Sequence, residues 1–402
     1  MNLTLLLDLD DTLFNNDITI FLPEYLRIFS EEVSGIVEPE KFVKELLTAT
    51  GKMIQNQQPD CTLKDVFNSA FFPALGLDPD NFQEAADRFY VEVFPKLESL
   101  TSKRKAAKKL VESAIERGYS LAISTNPLFP MSAIQERLSW AGLSPDIYHY
   151  DLVASYETFH FTKPDPAFFA EVMARLGWPE GRVLVVGDDI ERDIEAARKL
   201  GIHTFWITQD GATLPIEPGL LTAGGMLDDV LPWLKETTSA DLLPDYTSPA
   251  AVVAILKSTP AVLDSLCRVL PYKNWTHKIQ PDEWSITEII CHLRDVDVEV
   301  NIPRIRAVLD EQYPFLPGMD TDPWANERQY ICQNGYEALY HFISVRKKLL
   351  ALISSMQAED WELTARHAIL GRTKMAELVN IIASHDRLHI KQFHQVFKSI
   401  SS

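Results

Sequence analysis

The hydrophobic pattern of the chain changes its period several times. Near the start, Leu5-Leu6-Leu7-Asp8-Leu9-Asp10-Asp11-Thr12-Leu13 is an apolar run that ends abruptly in acidic residues. Such a run predicts a strand buried on both faces, with Asp8 and Asp10 at its carboxyl end, where open α/β sheets bind ligands. Residues 17–98 then carry apolar positions at helical spacing, as in Phe21, Tyr25, Ile28 and Phe29, and in Phe42, Leu46 and Leu47. Gly35, Pro39, Gly51 and Pro73 punctuate them, which predicts an all-helical insertion over about 15–100. From about 103, helices and strands alternate. Helices are predicted at Lys103–Arg117, Met131–Trp140, Asp165–Leu176 and Ile194–Leu200, and strands at Tyr119–Ile123, Tyr148–Val153, Val183–Val186 and Thr204–Ile207. That rhythm predicts a mostly parallel, doubly wound sheet.

The rhythm fades near 235, and the polar, proline-bearing stretch 236–248 is the expected linker. Beyond it the pattern reads as wholly helical, with long amphipathic segments at about 249–270, 284–310, 335–356 and 373–398, the second opened by a Ser285/Glu288 capping box. Four helices of that length predict an antiparallel four-helix bundle. The expected domains are therefore 1–235, an α/β unit with a helical insertion, and 249–402, an all-α bundle.

Composition narrows the function classes. A chain of 402 residues with 46% hydrophobic and 24% charged residues is expected to form two or three globular domains. A net charge of −19 disfavours nucleic acid and anionic membrane as partners, since both need clustered cations. No apolar run approaches the ~20 residues of a membrane span. Met1-Asn2-Leu3-Thr4 lacks a basic region and does not read as a signal peptide. Cys61, Cys267, Cys291 and Cys332 are widely spaced, without a Cys-x-x-Cys pair, as expected for reduced thiols in a cytoplasmic protein. The sequence leaves a homodimer open.

Four polar features sit at or just beyond the ends of predicted strands: Asp8-x-Asp10, Thr125-Asn126, Lys163-Pro164-Asp165, and Gly187-Asp188-Asp189 with Asp193. Two crowded carboxylates are costly without a cation between them, and Mg²⁺ with oxygen ligands relieves that repulsion. Asp8 has the chemistry to attack phosphorus, splitting one hard displacement into two. Asp10 can protonate the leaving oxygen and then activate water. Mg²⁺ bound by Asp8 and Asp188 would neutralise phosphate charge. Thr125, with its neighbour Asn126, offers donors to the phosphoryl oxygens, and Lys163 offers a point charge. Asp193 can orient the metal shell. Singly, each feature has a bland reading as a turn or a helix cap. Their joint occurrence in this order is what argues for a site.

These motifs closely resemble those of the haloacid dehalogenase superfamily of hydrolases over 1–235. The resemblance implies Asp8 as nucleophile, Asp10 as acid/base, and Thr125 and Lys163 as phosphate ligands. It also implies Mg²⁺ held by Asp8, the backbone carbonyl of Asp10 and Asp188, and makes the helical insertion similar to a C1 cap that selects substrates. The family's dehalogenases lack the acid that Asp10 supplies, so a phosphatase acting on a small phosphorylated metabolite is favoured. The Asp188-Asp189 doublet leaves open which carboxylate is nearer the metal, with Asp188 favoured.

In the bundle, His385 and His389 lie four apart on the apolar stripe of Leu378 and Ile382, and His292 lies in a stripe with Ile289 and Val296. Three inward histidines suit Zn²⁺ or Ni²⁺ with open positions, and Asp295 or Asp386 is the expected outer partner. Trp284-Ser285-x-x-Glu288-Ile289-x-x-His292, His367-x-x-x-Gly371 and His385-Asp386-x-x-His389-x-x-Gln392 resemble the DinB-like four-helix bundles. The resemblance implies the same three histidine ligands, and some relatives are metal-dependent thiol transferases. Two alternatives to a phosphatase-centred function follow: a thiol transferase in the bundle, or a bundle that only senses ligands or dimerises.

Overall fold

The structure, a computed structural model, describes residues 3–208, 222–237 and 240–401. It divides into two compact units, Met1–Val172 with Pro179–Tyr246, and Met173–Trp178 with Thr247–Ser402.

In the first unit, β1 (Leu3–Leu7) is buried at every position, as its unbroken apolar sequence requires. The chain then turns, and β2 (Phe14–Asn15) leads into four helices: α1 (Ile18–Glu32), α2 (Pro39–Ile54), α3 (Leu63–Leu75) and α4 (Pro79–Arg88). Their shared core is aromatic. Phe21, Tyr25, Phe29, Phe42, Phe71, Phe82, Phe89 and Phe94 are all buried, and the Phe29 and Phe89 rings stack with centroids 3.9 Å apart. A Thr62/Asp65 capping box opens α3, and Gly76, at φ +68°, closes it in the left-handed region that favours glycine. The insertion returns through β3 (Ser102–Lys103), which pairs antiparallel with β2, so both linkers of the helical insertion run together as a two-stranded ribbon.

The α/β part continues with α5 (Lys105–Glu116), β4 (Ser120–Ile123), α6 (Met131–Trp140), β5 (Leu152–Val153), α7 (Pro166–Arg175), β6 (Arg182–Gly187), α8 (Ala196–Leu200), β7 (His203–Ile207), β8 (Thr222–Gly225) and α9 (Val230–Glu236). The sheet order is β5-β4-β1-β6-β7-β8, all parallel, with β1 in the middle. This is the doubly wound sheet the alternation predicts, with two differences. The strand expected at 148–153 is only two residues long, because Tyr148 and Tyr150 turn their hydroxyls to Glu112 and to the Leu143 carbonyl. A π-helical turn, Ile190–Glu195, precedes α8.

Of the expected linker, residues 238 and 239 lie outside the described residues. Its later part is not a free tether: Leu242 is fully buried, and the Asp245 amide donates to the Gly201 carbonyl at 2.9 Å.

The second unit contains α10 (Pro249–Val269), α11 (Ile286–Val296), a π-helical turn (Asp297–Asn301), α12 (Ile302–Asp310), β9 (Phe315–Leu316), α13 (Trp324–Glu327), α14 (Gly335–Ser354), β10 (Thr364–His367), β11 (Gly371–Lys374) and α15 (Met375–Ser401). The π turn joins α11 to α12, so the expected second long helix spans 286–310, with the Ser285/Glu288 capping box at its start. The wholly helical expectation needs one correction. β10 pairs with β9 and β11 in a small three-stranded sheet, too short to print an alternating pattern on the sequence. A second correction concerns α10, which by length and composition alone is apolar enough to cross a bilayer. Here it is a core helix, and most of its apolar span is buried.

One buried arginine ties the four long helices together. Arg346 on α14 donates to Asp297 in the π turn at 2.7 Å, to both carboxylate oxygens of Asp386 on α15, and to the Leu256 carbonyl on α10 at 3.3 Å. All three charged groups are essentially inaccessible to water. Removing Arg346 would leave two carboxylates buried without their counter-charge, a penalty typically of ~3–5 kcal/mol.

Gly201 offers a test of the first unit's closure. Its φ is +91°, and a Cβ there would stand 1.7 Å from the Asp245 carbonyl oxygen. Gly201→Ala is expected to destabilise the unit by about 3 kcal/mol, because both backbone strain and overlap must be relieved. Denaturant titration checks this, and an unchanged midpoint would contradict it.

Candidate active site and a histidine cluster

The first site forms where β1, β4 and β6 end side by side. The Asp8 amide donates to the Val186 carbonyl at 2.9 Å and the Ser124 amide to the Leu7 carbonyl at 2.8 Å, so three strand ends are in register where the polar residues begin. Asp11 has φ +49°, a left-handed conformation that Asp tolerates better than most residues, and it turns the chain sharply away from the sheet. Its carboxylate accepts from the Asn16 amide at 3.0 Å, closing the turn.

Carboxylate oxygens of Asp8, Asp188 and Asp193 lie within 4.8 Å of one another. The Lys163 ammonium, almost fully buried, donates to Asp8 at 2.7 Å and to Asp193 at 2.5 Å. Burial alone would lower the ammonium's pKa, but Asp193 and Asp8 outweigh it and hold it above the usual value. Gly187 makes room for this arrangement, since a Cβ there would stand 2.3 Å from an Asp193 carboxylate oxygen. Asp188 is further held by the Thr12 hydroxyl at 3.1 Å and, through its carbonyl, by the Trp206 indole at 2.7 Å. Its neighbour Asp189 caps the π turn instead, accepting from the Arg192 amide at 2.8 Å.

The other expected residues are placed as follows. Asp10 is partly exposed and stands outside the carboxylate cluster; Asn16 donates to one of its oxygens at 2.7 Å and Arg137 to the other. Thr125 is buried just past β4. The Asn126 side-chain oxygen accepts from the Lys163 amide at 3.2 Å, so Asn126 braces the loop that carries the lysine.

Sequence reasoning missed Arg137 and Glu171. Arg137 is 3% exposed, and burial pulls its pKa down to about 10 against the pull of Asp8. Its signal was a cation on the apolar stripe of α6, between Ala133, Ile134 and Leu138. Glu171 on α7 is fully buried and accepts from the His160 and Phe161 amides at 3.0 and 3.2 Å, anchoring the loop that leads to Lys163.

The donor set fits a divalent cation. Among the described residues, five carboxylates, Asp8, Asp10, Asp11, Asp188 and Asp193, face three cations, Lys163, Arg137 and Arg104, which leaves the site two positive charges short. Burial, reinforced by Asp8, pushes the Asp188 carboxyl up to about 7; burial and Asp8 also push Asp193 up to about 7 against the opposing charge of Lys163. Protons fill the deficit where no cation does.

In the bundle, His292 on α11 and His385 and His389 on α15 converge. The His385 Nε2 stands 3.0 Å from the Nε2 of both other histidines. A ring nitrogen has one in-plane position for a proton or a lone pair, so His385 cannot satisfy both neighbours by hydrogen bonding; a central cation satisfies all three. Burial lowers the pKa values to about 2 for His292, 4 for His385 and 3 for His389, leaving all three neutral at pH 7, the form that binds metal. The His389 Nδ1 pairs with the Gln392 amide oxygen at 2.8 Å, which assigns the proton to Nδ1 and frees Nε2. Trp284 stacks on His389 with centroids 5.6 Å apart. Neither expected outer partner plays that part: Asp386 is committed to Arg346, and Asp295 to Arg294, Arg328 and Tyr330. His367 instead folds the β10–β11 turn, its Nδ1 accepting from the Ile369 and Leu370 amides at 3.2 and 3.3 Å.

Residues 3–201 match the haloacid dehalogenase-like hydrolase family, and residues 255–393 match the DinB superfamily. The chain is 27% identical over 209 residues to the pyrimidine 5'-nucleotidase PynA of Streptococcus pneumoniae, covering 50% of this chain and 82% of that protein. It is 28% identical over 158 residues to the phosphoserine phosphatase of Thermus thermophilus, covering 38% of this chain and 56% of that protein. Among solved structures, YfiT of Bacillus subtilis, a four-helix bundle of unusual topology, is 15% identical with a TM-score of 0.35, covering 41% of this chain and 91% of that one.

The raised carboxyl pKa values make cation binding pH-dependent. Both groups hold protons in the folded state below about 7, so a divalent cation must displace them there. Its affinity is expected to strengthen as pH rises from about 6 to about 8 and then to level off. Calorimetric titration at several pH values checks this, and a pH-independent affinity would contradict it.

Proposed function

Because residues 3–201 belong to the haloacid dehalogenase-like hydrolases and residues 255–393 to the DinB superfamily, we propose that this phosphatase hydrolyses a small phosphomonoester with Mg²⁺ and carries a second, transition-metal site in its bundle. The observation that carries the first part is the convergence of Lys163 and Asp193 with Asp8 and Asp188, the last two at the ends of adjacent parallel strands. The similar proteins named above are a nucleotidase and a phosphoserine phosphatase, both acting on small phosphomonoesters, and we extend that class to this chain.

The residues divide the work. An Asp8 oxygen attacks phosphorus while the bond from phosphorus to the ester oxygen breaks, and Asp10 gives the departing oxygen its proton. Asp10, now a carboxylate, takes a proton from water; the water oxygen attacks phosphorus, and the bond from phosphorus to Asp8 breaks. Asn16 and Arg137 fix the Asp10 carboxylate between these transfers. Lys163 stabilises the charge on the phosphoryl oxygens, and Thr125 offers its hydroxyl to them. Asp8, Asp188 and the Asp10 carbonyl would hold Mg²⁺, with Asp193 orienting its shell, and the ion would supply positive charge to offset the carboxylates and the phosphoryl oxygens.

Two measurements test this reading. Asp8→Asn keeps the shape of the site but removes the nucleophile, so phosphomonoester turnover with Mg²⁺ is expected to fall by at least ~10³-fold; equal activity of the two proteins would sink the assignment. For the bundle, purified protein is expected to hold about one equivalent of Zn²⁺ or Ni²⁺, lost in the His385→Ala/His389→Ala variant. Retention of the metal in that variant would count against the cluster.

A further inference from the structure

The two linkers of the helical insertion end at a single side chain, Arg104, which follows β3 directly. Its Nε donates to the Asn15 side-chain oxygen on β2 at 2.6 Å, and the Asn15 side-chain nitrogen donates to the Ser102 hydroxyl on β3 at 2.9 Å. Arg104 thus clasps both linkers. Its second arm donates through Nη1 to the Thr12 carbonyl at 3.3 Å. Thr12 is fully buried, and its hydroxyl donates to Asp188 at 3.1 Å. An unbroken chain of hydrogen bonds therefore runs from the linkers, through Arg104 and Thr12, to a carboxylate of the candidate cation site. Nothing in the sequence marks Arg104, and the phosphatase mechanism does not use it.

We propose that Arg104 is a positioning residue that couples the linkers of the helical insertion to Asp188, so that the placement of the insertion and the grip on the cation depend on each other. The reason is geometric. A planar guanidinium binds two acceptors in a fixed relation, so moving Asn15 moves the Thr12 carbonyl and with it the hydroxyl that orients Asp188. Coupling is reciprocal: whatever improves cation binding through Asp188 also favours the linker geometry seen here. The inference rests on the reading of Asp188 as a cation-binding carboxylate.

Charge and position make opposite predictions, which makes the idea testable. Arg104 is a cation near Asp188, so as a charge alone it repels Mg²⁺. Removing it in Arg104→Met would then tighten Mg²⁺ binding, and Arg104→Lys would leave binding unchanged. As a positioning residue it does the reverse. Arg104→Met and Arg104→Lys are both expected to weaken Mg²⁺ binding, measured by calorimetry, by about fivefold, a modest coupling between sites. Asn15→Ala, which cuts the linker arm only, is expected to weaken it similarly, and the Asn15→Ala/Arg104→Met pair to be no worse than either single variant. Tighter binding by Arg104→Met, unchanged binding by Arg104→Lys, or unchanged binding by Asn15→Ala would each overturn the linkage. A wild type that binds no Mg²⁺ would instead overturn the reading of the cation site itself, so the two failures are distinguishable.

Discussion

Buried carboxylates that crowd one another must be neutralised, and the amino-terminal site cannot do this with its own side chains. Lys163 is the central compensation: one ammonium, nearly sealed from water, serves Asp8 and Asp193 together. Burial, reinforced by Asp8, raises the Asp188 and Asp193 carboxyls, and the residual negative charge suits the site to a divalent cation. The bundle solves a related problem. The His385 Nε2 stands between two other ring nitrogens and has one in-plane position to offer them, while Asp386, beside it in sequence, is consumed by Arg346.

The backbone is arranged to make this crowding tolerable. Strands buried on both faces deliver their polar ends to one place, and the rest of the unit closes around them through Glu171, Asn126 and the Asp11 turn. In each unit a key acid sits on a π-helical turn: Asp193 in Ile190–Glu195 and Asp297 in Asp297–Asn301. Such turns insert one residue into the helical register and are enriched at functional sites. Here each aims a carboxylate at a buried cation, Lys163 in one case and Arg346 in the other.

Much of this was legible in the chain because it is local. The apolar run before Asp8, the Ser285/Glu288 capping box and the four-residue spacing of His385 and His389 each report on a few neighbouring residues. What was not legible depends on partners far apart. Arg137 meets Asp10 across 127 positions and Arg346 meets Asp386 across 40, and no local pattern names those partners. The small sheet escaped because strands of two to four residues print no period. The outer partner of the histidines escaped because an acidic residue beside a histidine looked more suitable than Gln392, one helical turn away.

The account turns on Asp8 forming a covalent bond to phosphorus. The most direct measurement mixes enzyme, Mg²⁺ and a reactive phosphomonoester, quenches with acid within a turnover, reduces with borohydride and sequences the peptides by mass spectrometry. An aspartyl phosphate at Asp8 would be reduced to homoserine at that position, and this is the predicted result. Turnover without any such conversion, or conversion at another carboxylate in place of Asp8, would contradict the account.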